Sequence, residues 1–557
     1  MSPRRWWLVA GLLFAVLAMN VPLGAQEEQD WRFGVIEAYT ARNAARDLNI
    51  GWTRVRFQWA DVQAAGPDSW TPDLSDDQID EQLAAGRDLV SLLIGIPDWA
   101  RDEDDLPRGL WLEHDDPQNL WGAFVRDIVS RYDGRIDHWI IWNEPDIDAS
   151  EVAHSWDGSV DDFYQLQRVA YLAAKEANPD AVIHLAAFTY WADFDAGREQ
   201  YMARLLDRIL ADPQAAQHNH YFDVATAHLY FQPDQITDLL RVFQQIMEER
   251  GLARPIWLVE TNAPPYDDPA WPVPEPALAV SSTEQAAYFP QAVAAALAAG
   301  ADRIGVYKLR DTEGDRAANP EPFGLLRLDG SQRVSFRTYR EAIRQMRGTT
   351  SAVRERWDEV GQFRLEQEDR TTTVLFSRLP DPQQVELPAT AAAARLVDMW
   401  GQEQVLQAQN GRYTIELQQA LCTQTIGDYC MIGGTVLYLI EARDGGPPPD
   451  SLAPIAPPTA TPPPTNTPLP TPSPTPAPPA TETATPRPAA ASTNIPPTVT
   501  ATATAASPAG ADQPDSSPDP TLPAPTPPPL HESEGESQAD NMPAVILFVA
   551  AGALGAA

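Results

Sequence analysis

Cysteine is almost absent: Cys422 and Cys430 are the only two in 557 residues. Disulfides therefore cannot frame a chain of this length, and metal sites built on cysteine clusters are excluded. A His-Glu-x-x-His zinc pair is missing, and no Gly-rich phosphate loop follows the first strand candidate, so no metal and no cofactor is implied. Basic charge is scarce as well. Lys+Arg 40 against Asp+Glu 78 leaves a net charge of −38, which repels nucleic acid and excludes it as a partner. Aromatic residues are wholly missing from 447–530, where more than half of the 54 prolines fall. A Pro/Thr/Ala/Ser segment of this kind cannot bury enough apolar surface to fold, so 445–541 reads as a disordered linker or stalk.

The two ends carry addressing signals. Arg4 and Arg5 precede an apolar run from Trp6 to Met19, and small residues follow up to Ala25, so residues 1–25 read as a signal peptide. The chain is expected to be exported, extracellular or at the cell surface, where Cys422 and Cys430 can pair across the short loop around Gly427. At the other end, 542–557 is hydrophobic. Its uninterrupted apolar stretch, Ala544 to Ala557, is shorter than the roughly 20 residues that span a bilayer. It reads as part of a membrane anchor.

Between these ends lie two regions of different grain. From 30 to 347, strand-like runs alternate with amphipathic helical segments. The strand candidates are Arg32–Glu37, Thr53–Trp59, Leu89–Ile96, Ile136–Trp142, Val182–Phe188, Phe222–Tyr230, Ile256–Glu260 and Arg303–Leu309. Helical spacing marks Asn119–Tyr132, Asp161–Ala177, Tyr201–Leu210, Gln235–Arg250 and Thr283–Ala299. Eight such units predict an α/β fold, a (β/α)8 TIM barrel with a closed parallel sheet. From 349 to 444 the pattern changes to short β-prone runs, among them Thr371–Ser377, Gln384–Leu387, Arg412–Leu417 and Gly434–Glu441. These predict a small antiparallel β domain beside the barrel.

Two strand ends carry the chemistry. The run Ile140-Ile141-Trp142-Asn143-Glu144-Pro145 ends a buried strand in an amide, a carboxylate and a proline that cannot continue the ladder. Ile256-Trp257-Leu258-Val259-Glu260-Thr261-Asn262 repeats the design. Glutamates at the C-terminal ends of the fourth and seventh strands face one another across a barrel mouth, where such folds place their active sites. Hydrolysis of a glycosidic bond with retention needs this pair: one protonated carboxylic acid for the leaving oxygen and one ionised carboxylate to attack the sugar.

The Trp142-Asn143-Glu144-Pro145 motif, with Glu260 three strands later, resembles clan A of the retaining glycoside hydrolases, families 39 and 5 most nearly. The resemblance covers Trp31 to about Arg347. It implies Glu144 as acid/base, Glu260 as nucleophile and Asn143 as the partner of the sugar 2-hydroxyl. It further implies Arg54 on the second strand and the His228–Tyr230 pair on the sixth as groups around the nucleophile. Trp99, in Pro97-Asp98-Trp99-Ala100, and Trp142 would line the sugar subsite. One departure stands out: the clan's eighth-strand tryptophan is replaced by Tyr307-Lys308, so Tyr307 or Lys308 would take the place of the subsite floor. Trp59, Trp111, Trp156, Tyr190, Trp191, Tyr266 and Trp271 also lie near strand ends, and of these aromatics taken together with Trp99 and Trp142 about half are expected to reach substrate. The expectation is an exported retaining β-glycosidase acting on oligo- or polysaccharides. Its rival is a non-catalytic carbohydrate-binding surface protein on a degenerate glycosidase barrel.

Overall fold

The computed structural model describes residues 29–452 apart from 73, 148–153 and 319–320. The expected signal peptide, nearly all of the expected linker and the hydrophobic 542–557 segment lie outside the described residues. Among the described residues no helix is long and apolar enough to cross a membrane.

Eight parallel strands close into a barrel in sequence order: β1 Asp30–Val35, β2 Ile50–Gln58, β3 Asp88–Ile94, β4 His138–Ile141, β5 Val182–Phe188, β6 Val224–His228, β7 Ile256–Thr261 and β8 Ile304–Val306. The crossover helices are α1 Arg42–Leu48, α2 Asp76–Ala84, α3 Leu120–Arg131, α4 Val160–Ala177, α5 Tyr201–Leu210, α6 Pro233–Glu249, α7 Ser282–Ala298 and α8 Val334–Met346. Strands buried on both faces read as continuous apolar runs, as residues 256–259 of the wholly buried β7 illustrate. Ser75, Ser159 and Ser281 begin α2, α4 and α7 with capping boxes, each hydroxyl accepting from the third backbone N–H of its helix. Inside the barrel the Trp52 indole lies against Gly34 of β1 and Gly305 of β8, where a Cβ on either glycine would collide with the ring.

Helix α7 is alanine-rich and apolar on all sides because it is covered twice. One face meets the barrel and the other the β domain, where Gln291 Nε2 donates to the Gly434 carbonyl (3.3 Å) and Gln291 Oε1 accepts from Gly433 N (3.0 Å). The β domain holds a six-stranded antiparallel sheet in the order β14 Glu403–Gln407, β13 Ala393–Asp398, β18 Leu437–Ala442, β11 Arg370–Ser377, β10 Val360–Glu366, β9 Ser351–Trp357. The pair β12 Gln383–Pro388 and β15 Arg412–Leu417 adds a second layer, and the strict in–out alternation of β15 buries Tyr413, Ile415 and Leu417 in the core between them.

Short strands β16 Thr425–Ile426 and β17 Tyr429–Cys430 form a hairpin whose base is tied by the Cys422–Cys430 disulfide. The closed loop is short, so the chain-entropy gain is small. Replacing both cysteines by serine is expected to cost roughly 2 kcal/mol, read as a lower denaturant midpoint with an unchanged slope.

The lower end of the barrel contains a buried imidazole pair. His138 Nδ1 and His184 Nε2 are 3.0 Å apart, within hydrogen-bond distance. Burial, then the charge of Arg303, pushes the His138 pKa down to about 4, and burial with the neighbouring His138 and Arg303 holds His184 well below its ordinary value. An unfolded histidine titrates near 6.5. As pH falls below that value the unfolded chain takes up protons that the folded one refuses, so stability present at pH 7 is lost between about 6.5 and 4. The double variant His138→Phe/His184→Leu is expected to show a weaker fall of Tm across that window than the wild type. Equal slopes would contradict the pair's role.

Candidate active site

Beyond Ile141 the chain leaves the sheet through a tight zigzag. Trp142 (φ 70°) and Glu144 (φ 44°) both adopt the left-handed region, on either side of Asn143. Positive φ is costly for residues with a Cβ, and two such positions in three residues mark a backbone held by its surroundings. The restraints are visible: Trp142 N donates to the Leu93 carbonyl (2.9 Å), Glu144 N to the Ala187 carbonyl (3.1 Å), and Ser155 Oγ to the Asn143 carbonyl (2.5 Å). Pro145 then has no N–H to leave unpaired.

This path brings Glu144 to face Glu260 at the end of β7. An oxygen of each and the His228 imidazole lie within 4.8 Å of one another. Both carboxylates are buried, 0% and 3% exposed. Each oxygen has a donor. His228 Nδ1 is 2.6 Å from Glu144 Oε1, and Asn143 Nδ2 donates to Glu144 Oε2 at 3.2 Å. Arg54 Nη2 pairs with Glu260 Oε1, and the Tyr230 hydroxyl donates to Glu260 Oε2. His228 also stands 3.5 Å from Glu260 Oε2, which its position opposite Glu260 in the β6–β7 register explains.

Burial alone would push the Glu260 pKa up. The Arg54 guanidinium, His228 and the Tyr230 hydroxyl outweigh it and hold the carboxyl below its ordinary value. Arg54 is the mirror image: burial lowers its pKa, but Glu260 raises it further, so the guanidinium stays charged. Tyr230 is driven well above 10 by burial and by the two glutamates, which keeps its hydroxyl a donor. Glu144, His228 and Glu260 also form a donor set that could hold a divalent cation. A cation there would have to displace the protonated groups of Arg54, Tyr230 and Asn143 and compete with the guanidinium charge, so the set does not fit a metal.

Five of the expected residues, Arg54, Asn143, His228, Tyr230 and Tyr307, gather with Glu144 and Glu260 at the C-terminal mouth. Tyr307 follows β8, its ring edge-on to Phe323 (5.6 Å), which in turn meets Tyr230 (5.9 Å). Trp142 is buried between Trp121 and Trp156, its indole N–H given to the Ser155 carbonyl (3.0 Å), and it borders a cavity of about 220 Å³ lined also by Gln58, Arg101, His154 and Asp157. Trp99 instead gives its N–H to the Gln63 carbonyl (2.6 Å) and meets Trp59 edge-on, so its described contacts are with the wall after β2. Trp59 is core, stacked on Phe124 at 5.0 Å, whereas Trp111 is 55% exposed and bonded to Asp162.

Asp146 escaped the sequence reading. Only two residues past Glu144, it is buried, with Oδ2 accepting from Thr189 N and Oγ1 (2.8 Å each). Burial raises its pKa to about 7, against the Thr189 bonds and helped by the charge of Glu144. Nothing in the local sequence distinguishes this carboxyl from a solvated loop residue.

No family model matches the chain, and no curated relative does. Solved structures do resemble it. One is a family 39 glycoside hydrolase from the gut symbiont Bacteroides cellulosilyticus WH2, at 15% identity and TM-score 0.55, covering 75% of this chain and 82% of that one. Another is a glucosidase from Croceicoccus marinus, at 14% identity and TM-score 0.51, covering 75% of this chain and 97% of that one. At such identities the likeness establishes the fold, and the fold is that of the (β/α)8 barrels found among glycoside-cleaving enzymes.

Proposed function

We propose that the protein is an exported retaining β-glycosidase that hydrolyses O-glycosidic bonds of oligo- or polysaccharides by double displacement. The observation that carries this reading is the facing pair: two buried carboxylates at the ends of β4 and β7, with oxygens within 4.8 Å, one of them held ionised by a buried arginine. Retaining pairs lie about 5–5.5 Å apart and inverting pairs roughly 6.5–9.5 Å, the extra room being needed for a water.

In the first step a Glu260 oxygen attacks the anomeric carbon while the bond to the leaving oxygen breaks, and Glu144 supplies the proton that oxygen needs. The product is a glycosyl ester of Glu260. In the second step Glu144 takes a proton from water, the water oxygen attacks the anomeric carbon, and Glu260 departs as carboxylate. Asn143 has one amide hydrogen on Glu144 and another for the sugar 2-hydroxyl, a bond that strengthens as charge develops at the ring. Arg54 and Tyr230 keep the nucleophile ionised and aimed. Export is supported by the signal-like first 25 residues and by the closed disulfide, which persists in oxidising compartments.

A panel of 4-nitrophenyl β-glycosides and plant polysaccharides tests the activity. Glu144→Ala gives a sharper reading, because it removes the proton donor and leaves the nucleophile. Glycosides with poor leaving groups should slow by roughly 10²–10⁴-fold, while 2,4-dinitrophenyl glycosides, whose leaving group needs no proton, should still form the intermediate rapidly. Equal losses on both would contradict the assignment. Binding of sugars with no hydrolysis of any would favour the non-catalytic rival.

A further inference from the structure

Next to the glutamate pair the barrel mouth holds a second buried charge cluster. The Lys308 side chain is buried, with Nζ 2.5 Å from Glu37 Oε2 and 2.9 Å from Asp315 Oδ1. Asp315, on the short helix Glu313–Ala318, is fully engaged, its other oxygen accepting from Thr312 N (2.7 Å) and Oγ1 (2.8 Å). Glu37 is not. Among the described residues its carboxylate has Lys308 on Oε2 and no hydrogen bond on Oε1. It stands just past β1 with φ 61°, and its N–H donates to the carbonyl of Arg54 (3.2 Å), the residue whose guanidinium holds Glu260.

Tyr307 joins the two clusters. Its hydroxyl is buried and has no hydrogen-bond partner. It lies in the field of Glu260 on one side and of Lys308, Glu37 and Asp315 on the other, and burial with the three carboxylates drives its pKa up, against the opposing pull of Lys308. The phenol is therefore a neutral donor. A buried donor left unpaired is costly, about 1–3 kcal/mol, unless something arrives to accept from it. In front of a glycosidic centre the arriving group is a sugar hydroxyl.

Resting on the glycosidase reading, we propose that the Tyr307 hydroxyl and the Glu37 carboxylate, the latter set in place by Lys308, form a hydrogen-bonding edge that selects neutral sugars by their ring hydroxyls and rejects uronic acids. Tyr307 donates to a hydroxyl oxygen and Glu37 accepts a hydroxyl hydrogen. Arg54 and Lys308, the cations in contact with these groups, are already paired with carboxylates, so a sugar carboxylate placed beside Tyr307 would meet the charges of Glu37 and Glu260.

The test uses the 4-nitrophenyl glycoside that the wild type cleaves fastest, its 3-deoxy and 4-deoxy analogues and the corresponding uronide, with wild type, Tyr307→Phe and Glu37→Gln. At one deoxy position the wild type should lose roughly 10–100-fold in kcat/KM. Tyr307→Phe or Glu37→Gln should lose a comparable factor on the parent glycoside and no longer discriminate against that analogue. The uronide should remain uncleaved by the wild type. The deoxy analogues probe the contact from the substrate side, so the result does not depend on the variants folding well. Uniform losses on all neutral substrates in both variants, or a uronide cleaved as fast as the parent, would overturn the inference while leaving the glycosidase reading intact. A wild type that cleaves no glycoside would overturn that reading and this one with it.

Discussion

Glu260→Ala is expected to lower kcat by about 10⁴–10⁶-fold, the scale of loss when a covalent nucleophile is deleted. Glu144 cannot substitute for it, since the proposed mechanism places it on the leaving-group side and it is bonded to His228 and Asn143. The variant also removes the partner of a buried arginine and of the Tyr230 hydroxyl, so a small anion should be drawn into the vacated space. Azide added to Glu260→Ala should restore part of the rate and yield a glycosyl azide of inverted configuration, because a single displacement replaces two. A Glu260→Ala enzyme running near the wild-type rate would show that the nucleophile lies elsewhere.

Arg54→Met should produce the second largest effect, and through the nucleophile's charge. In the wild type the Glu260 carboxyl is held below its ordinary value of 4.5 despite burial, with Arg54 the foremost opposing influence. A depressed carboxylate contributes stability that is present above its unfolded pKa and lost as pH falls through the folded one. Without the guanidinium, burial is left opposed only by His228 and Tyr230, and the shift reverses. The acid limb of kcat/KM should then move upward by about one to three pH units. The uncompensated charge should also cost about 3–5 kcal/mol of stability at pH 7, less at lower pH where Glu260 can take up a proton. An unchanged acid limb in a folded variant would mean that Arg54 does not govern Glu260.

Much of the barrel was legible because its strands are buried on both faces and therefore apolar from end to end. Val182–Phe188 and Tyr201–Leu210 appear within the limits their residues announce. Strand ends at the mouth blur. The Arg303–Leu309 run forms a strand only over Ile304–Val306, since Lys308 and Leu309 turn to bond the Phe323–Leu326 loop. In the β domain, β9 escaped notice because Ser351–Trp357 is a charged edge strand with little buried surface, the composition that keeps edges from pairing. Strand β14 is another exposed edge.

At the site, the two glutamates announce themselves because each ends a buried apolar run, which leaves an acid with no bland neighbour to explain it. Glu37 and Asp315 do not. They converge on Lys308 from a loop after the first strand and from a short helix after the last, and only closure of the barrel places β1 beside β8. The aromatic residues divide for a related reason. A tryptophan near a strand end faces either the mouth or the helix layer, and Trp59 is turned to the helix layer by the short helix it begins.

Trapping the glycosyl-enzyme intermediate tests the central claim most directly. The protein is incubated with a 2-deoxy-2-fluoro-β-glycoside carrying a dinitrophenyl leaving group and the sugar that the aryl glycoside panel selects, then digested and mapped by mass. The account predicts a single added fluoroglycosyl group, on the side chain of Glu260, that disappears slowly as activity returns. Time-dependent inactivation with the label on any other residue, or rapid cleavage of ordinary substrates that gives the inverted anomer first, would contradict it.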